Sequence, residues 1–187
     1  MALAFVPNYA QDSQTQLAKK KSFKTKIKSL KVIERDKTKS VRREFEAIFA
    51  RQIADYKAQF EAVKRGEKLK PDCGANFVLK NLNGSTITCE QITAERQAKF
   101  KRIKRINYLK IEIGNIEVNG SEAIVYTTQS FSRIIPDAND RDQIIVTDGT
   151  IHKEFWTKDG NRWKSNGFEE IKQGSITING RPYSPPG

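Results

Sequence analysis

The sequence has little of what most catalytic centres are built from. It holds one histidine, His152, and two cysteines, Cys73 and Cys89, with no CxxC and no HExxH, so it offers no recognisable metal-ligand set. GxGxxG, a phosphate-binding glycine loop and GxSxG are all missing, and no cofactor is implied. No apolar run approaches the roughly 18 residues that a membrane-spanning helix needs. No internal repeat or low-complexity segment occurs. The 187 residues suit one domain with an appended arm.

Acidic residues are scarce in one place only. The net charge of +12 looks like a nucleic-acid signal until it is located. Residues 19–43 carry twelve Lys and Arg against Glu34 and Asp36, and the rest of the chain is nearly neutral. Phe23, Ile27 and Leu30 are spaced as on one helical face within this basic stretch, compatible with a helix that touches an anionic surface. The plainer expectation is a solvated, flexible arm over residues 1–39. A second basic cluster, Lys99 to Arg105, contains only Phe100 as an aromatic. Specific nucleic-acid binding is not expected, because stacking platforms need more aromatics. Residues 1–11 contain a brief apolar patch with no basic residue before it. They read as a plain terminus or as the trailing end of an export signal, which leaves cytoplasmic and exported locations both open.

Cys73 and Cys89 flank a short hairpin, so a disulfide between them is conceivable. Their midpoint falls near Asn81, whereas the turn sits at Asn83-Gly84, so they should not be directly opposed. Two buried free thiols are the expectation.

What is present is a long amphipathic helix followed by a run of long strands. Val41, Phe45, Ile48, Phe49, Ile53, Tyr56, Phe60 and Val63 recur at helical spacing. Ser40 can cap the start, and Gly66 supplies a left-handed exit. Asn76–Lys80 and Ser85–Thr88 read as a short hairpin. Thr88 and Gln91 form a capping box for a second helix, over about Glu90 to Arg105. Strands are predicted over Tyr108–Val118, Glu122–Ile135, Gln143–Thr157 and Arg162–Lys172, with a last short one at Ser175–Ile178. Asn119-Gly120 and Asp159-Gly160 supply turns, and Gly149 implies a bulge or a sharp bend. Strands this long should curl, giving an α+β fold in which two helices pack on a strongly curved antiparallel sheet.

This order resembles the nuclear-transport-factor-2-like superfamily, which includes SnoaL-like domains. Val41 to Gly66 looks like its first helix. Pro71-Asp72 with Asn76-Phe77-Val78, and Asn83 to Thr88, resemble the segments before its second helix. The closing pattern is the most specific. Ser121 to Tyr126 with Gln129 and Arg133, then Glu154-Phe155-Trp156, Asp159-Gly160 and Trp163-Lys164, resemble the last strands of bacterial members, as does the tail from Gly174 to Pro182. Glu154 stands where Asp is usual, which keeps the carboxylate and lengthens its reach. The likeness covers about residues 40–183 and sets a domain over 40–187. It implies a conical pocket between helix and sheet, and a homodimer through the sheet. It implies no single activity, since the superfamily spans isomerases, dehydratases, cyclases, hydrolases and non-catalytic binders.

Alternation puts His152, Glu154 and Trp156 on one strand face. In a dry pocket, burial would raise the pKa of Glu154 and make it a general acid or base, and His152 could shuttle a proton. Tyr56 could donate to a developing oxyanion. Tyr126, Gln129 and Arg133 could orient a ligand, and Trp156 and Trp163 could wall it. The structural alternatives are a cross-strand ion pair for Glu154, a solvent-facing His152, and core positions for Tyr56, Trp156 and Trp163. The leading expectation is a domain that binds a small apolar ligand without catalysis. The rivals are an isomerase or dehydratase using Glu154 or His152, and a scaffold whose basic arm holds an anionic partner.

Overall fold

Between Ser13 and Lys64 the sequence has no glycine or proline, and one helix, α1, runs the whole way. The computed structural model describes residues 13–74 and 77–183, with side chains from residue 39 onward. Residues 1–11, Asn76 and the side chains of Phe23, Ile27 and Leu30 therefore lie outside the described part. Ser40 is interior to α1 and caps nothing, a correction to the expected start. Nothing upstream of it breaks a helix, and Lys, Arg, Gln and Ala are good helix formers. The chain divides into two units, Met1–Arg43 and Glu44–Gly187. The sheet and the second helix belong to the latter.

Gly66 ends α1 at φ +90°. After it come β1 (Val78–Lys80), β2 (Thr86–Ile87) and α2 (Cys89–Arg102). The expected capping box is formed, with the Thr88 hydroxyl accepting from Gln91 N–H and the Gln91 side chain accepting from Thr88 N–H. Cys73 and Cys89 are joined in a disulfide. This corrects the expectation of free thiols. The bond ties the segment before β1 to the first residue of α2, so the hairpin turn need not lie midway between the cysteines.

The rest is strand: β3 (Arg105–Asn119), β4 (Glu122–Pro136), β5 (Asp142–Asp159), β6 (Arg162–Lys172), β7 (Ser175–Ile178) and β8 (Arg181–Pro182). The sheet order is β2-β1-β6-β5-β4-β3, with β7 on β5 and β8 on β7. The sheet is curved and does not close on itself, and both helices pack on it. The four long strands are antiparallel throughout. β1 joins β6 in parallel, a pairing the sequence did not suggest. Gly167 admits it: a Cβ there would fall 1.7 Å from the Val78 carbonyl oxygen.

Gly149, at φ +79°, drops out of the β4–β5 register between Asp148 and Thr150. The bulge divides β5 into two halves. Ile145–Asp148 pairs with β7, and Ile151–Asp159 pairs with β6. Bulges of this kind bend a strand and raise its twist.

Candidate functional site

Within Glu44–Gly187, α1 changes character turn by turn. Phe45 and Phe49 are buried, and so are Phe60 and Val63. Between them the helix presents Gln52, Asp55, Tyr56 and Gln59. Two aromatic clusters result. At one end Phe45 meets Trp156 at 5.3 Å and Trp163 at 5.2 Å between ring centroids, and Phe49 meets Trp156 at 5.9 Å. Glu44 accepts hydrogen bonds there from Trp163 Nε1 (2.8 Å) and from the Lys158 ammonium (3.1 Å). At the other end Phe60, Val63, Phe100 and Ile103 form a core on which Tyr56, Leu69, Ile106, Phe131 and Ile135 pack.

Between the clusters lies a cavity of about 740 Å³. Its floor is the inner face of the sheet, with Leu109 and Ile111 from β3, Gln129 and Phe131 from β4, Glu154 from β5 and Phe168 from β6. Register explains the grouping, because Leu109 pairs with Phe131, Ile111 with Gln129, and Glu154 with Phe168. α1 and α2 form the walls, the latter through Ile92, Thr93 and Arg96. The segment from Leu69 to Gly74, anchored by the disulfide, closes one side.

Glu154 is 6% exposed. Its Oε1 accepts a 2.8 Å hydrogen bond from the Thr127 hydroxyl, across the β4–β5 ladder. No ion pair reaches it among the described residues. Burial pushes its carboxyl from the usual 4.5 up to about 7, with the Thr127 hydroxyl working the other way. A group with that pKa gives and takes protons near neutrality.

His152 shares the strand face but not the chemistry. It packs against the Phe168 ring at 4.7 Å, and its Nδ1 has no hydrogen-bond partner among the described residues. Burial lowers its pKa from 6.5 to about 4, so at pH 7 the imidazole is neutral. No hydrogen bond links it to Glu154 among the described residues, and it is absent from the cavity wall. Trp156 lies in the first aromatic cluster with its Nε1 also unpartnered.

Tyr56 stands at the boundary between the cavity and the second cluster. Its ring meets Phe100 at 4.8 Å and Phe131 at 5.7 Å, edge to face. Burial raises its pKa, and the guanidinium groups of Arg96 and Arg133 pull it back. Arg96 donates to Gln59 Oε1 at 3.0 Å and lies 5.7 Å from the Tyr56 ring centroid. Arg133 lies over Phe131 at 5.0 Å and donates to Thr147 at 3.3 Å. Burial lowers the pKa of both arginines, with the Coulombic influence of Tyr56 opposing it.

Of the residues singled out in the sequence, Tyr56, Gln129 and Glu154 meet at the cavity. Trp156 and Trp163 are not in its wall and pack in the first aromatic cluster. Tyr126 pairs with Lys153 across the ladder, one residue out of phase with the buried Val125 and Thr127, so it belongs to the opposite face. Arg133 is not in the cavity wall; it lies over Phe131, which is. The sequence reading missed Arg96 and Thr127. Thr127 was findable, since it alternates with Val125 and Gln129 on β4. Arg96 was not, because α2 shows no apolar stripe clear enough to orient it.

Among the described residues no three His, Cys, Asp or Glu side chains gather as metal ligands, and no helix is long and apolar enough to cross a membrane. No protein-family model matches the sequence, and no curated protein matches it. Solved structures do match. The Kfla4162 protein of Kribbella flavida is similar at a TM-score of 0.50 and 12% identity, over 76% of this chain and 93% of its own. A hexachlorocyclohexane dehydrochlorinase, LinA type 2, aligns at a TM-score of 0.45 and 12% identity, over 77% and 99%. An NTF2-like protein of unknown function from Prochlorococcus sp. NATL2A aligns at 0.42 and 13%, over 56% and 76%. At these identities the likeness concerns the fold alone. Two helices on a curved, open sheet, in the order long helix, short hairpin, second helix, long antiparallel strands, make this a nuclear-transport-factor-2-like fold.

Proposed function

We propose that the cavity of Glu44–Gly187 is a binding site for a small, largely apolar ligand. One observation carries the reading: about 740 Å³ of space is left between two well-filled aromatic clusters. Natural ligand pockets run from roughly 300 to 1,000 Å³ and combine apolar walls with a few convergent polar groups. Leu109, Ile111, Phe131 and Phe168 supply apolar surface here, Gln129, Glu154 and Arg96 are polar groups within it, and Asp55, Lys70, Asp72 and Lys164 are exposed charges in the wall. Backbone-amide NMR during titration with 1-decanol tests it. Saturable shifts at Ile111, Gln129, Glu154 and Phe168 are expected, and Gln129→Trp, which fills the space, should abolish them. Shifts confined to other surfaces, or persisting in Gln129→Trp, would refute the reading.

Glu154 favours a second reading, proton transfer to or from the bound molecule. A carboxyl that titrates near 7 in the wall of a cavity is suited to both directions. The direct assay is deuterium exchange at the α-carbon of bound 2-decanone in heavy water. Glu154 would take the α-proton to leave an enolate and return a deuteron to the same carbon. Exchange that rises with pH through an inflection near 7 and is lost in Glu154→Gln would support it. Equal exchange in the two proteins would rule it out.

A further inference from the structure

We infer that the ligand is a medium-length organic acid whose carboxylate is held by Arg96 and whose far end reaches Glu154. This rests on the binding reading above and assigns its chemistry. Arg96 is the half-buried cation, beside exposed Lys70, Lys164, Asp55 and Asp72, in the wall of the cavity. Among the described residues no carboxylate lies within ion-pair distance of Arg96 or Arg133. Asp55 shares the wall but is exposed and makes no such pair. Instead Arg96 lies over the ring of Tyr56, 5.7 Å from its centroid, a group that is uncharged at neutral pH. Removing cations from water without an anion is costly, and buried charges are ordinarily paired. An anionic group entering beside Arg96 and Tyr56 supplies the missing partner.

Arg96 is equipped for it. Gln59 occupies one guanidinium N–H, at Nη1, which fixes the plane of the group. The remaining N–H groups are available to a planar acceptor, and a guanidinium matches a carboxylate fork to fork. The interaction with the Tyr56 face holds the side chain from below.

The opposite end differs in kind. Glu154 sits with Thr127, and Tyr56 with Phe131. Thr127 and Phe131 lie on the same face of β4, roughly 13 Å apart along an extended strand. Ile111, Gln129 and Leu109 floor the interval. An acid of about ten carbons spans such a distance, with its chain on the apolar floor. At the Glu154 end a neutral carboxyl donates to a carbonyl or hydroxyl, whereas a second anion would meet repulsion there once Glu154 ionises.

Calorimetry on the whole chain at pH 8, with decanoate and 1-decanol as matched probes, tests the assignment. Decanoate should bind at least about tenfold more tightly, roughly 1.4 kcal/mol. Arg96→Leu should bring the two within about twofold by weakening decanoate alone, and Arg96→Lys should retain part of the preference. Equal affinity of the intact protein for the two probes overturns the carboxylate assignment and leaves the cavity reading standing. A preference that survives Arg96→Leu overturns the role of Arg96. If neither probe binds, both readings fall. The ratio in the unmodified protein decides the question even if Arg96→Leu does not fold.

Discussion

Two stretches of the same helix face the same sheet and do opposite things. Around Phe45 and Phe49, α1 meets Trp156 and Trp163, and the space between helix and sheet is filled by rings. Two turns on, Gln52, Tyr56 and Gln59 face Gln129, Phe131 and Glu154, and the space stays open. β5 makes the same change within two residues, from Trp156 to Glu154. α1 continues unbroken across the boundary, while the β5–β6 register shifts between Phe155 and Trp156. The boundary thus combines a change of side chains, from Phe49 to Gln52 on α1 and from Trp156 to Glu154 on β5, with a local irregularity in the sheet. On the proposed function, stability would be concentrated in the filled part and ligand contacts in the open part.

Substitutions should separate the two roles. Phe45→Ala and Phe100→Ala each remove a fully buried ring, and unfolding in urea should show losses of about 3–5 kcal/mol. Gln52→Ala and Gln129→Ala, in the cavity wall, should cost under about 0.5 kcal/mol. Similar losses at both sets would erase the contrast.

The disulfide belongs to the open part, since Cys73 lies in its wall. Replacing both cysteines with serine reopens a 16-residue separation and should cost about 3 kcal/mol by loop entropy. The loss should fall on the β1–β2 hairpin and the segment from Leu69 to Gly74, seen as faster amide exchange there than in the aromatic clusters.

The pH dependence should be smaller and of two signs. The folded pKa of Glu154 is raised, so its contribution to stability is full below 4.5 and lost as pH rises through about 7. The folded pKa of His152 is lowered, so its contribution is full above 6.5 and lost as pH falls through about 4. The two oppose each other over the shared interval. Glu154→Gln should leave stability at pH 4 unchanged and raise it at pH 8 by on the order of 2 kcal/mol. Thr127→Val should have a smaller effect than Glu154→Gln. It removes one hydrogen bond for about 1 kcal/mol and moves the Glu154 pKa further up, since the hydroxyl favours the ionised form.

Much of this was legible in the residues. The apolar period from Phe45 to Val63, the Thr88–Gln91 box, the Asn119-Gly120 turn and the Gly149 bulge are local signals, and each element they predict is present. The start of α1 was less legible, because a helix that simply continues leaves no mark. The disulfide and the parallel β1–β6 pairing are contacts between distant segments, which no local pattern encodes. The burial of Glu154 could be anticipated from alternation with Trp156. Its partner Thr127 follows only from the register of β4 on β5. The place of Arg96 in the wall could not be read at all, since its contacts with Gln59 and Tyr56 join α2 to α1 only through the fold.

The account depends on the inner face remaining buried where it turns polar. Carboxyl-carbon NMR of labelled glutamate, with Glu154→Gln to assign the resonance, reports this directly. A Glu154 midpoint near 7 is the expected result. A midpoint near 4.5, that of a carboxyl in water, would mean that no dry cavity exists between the aromatic clusters.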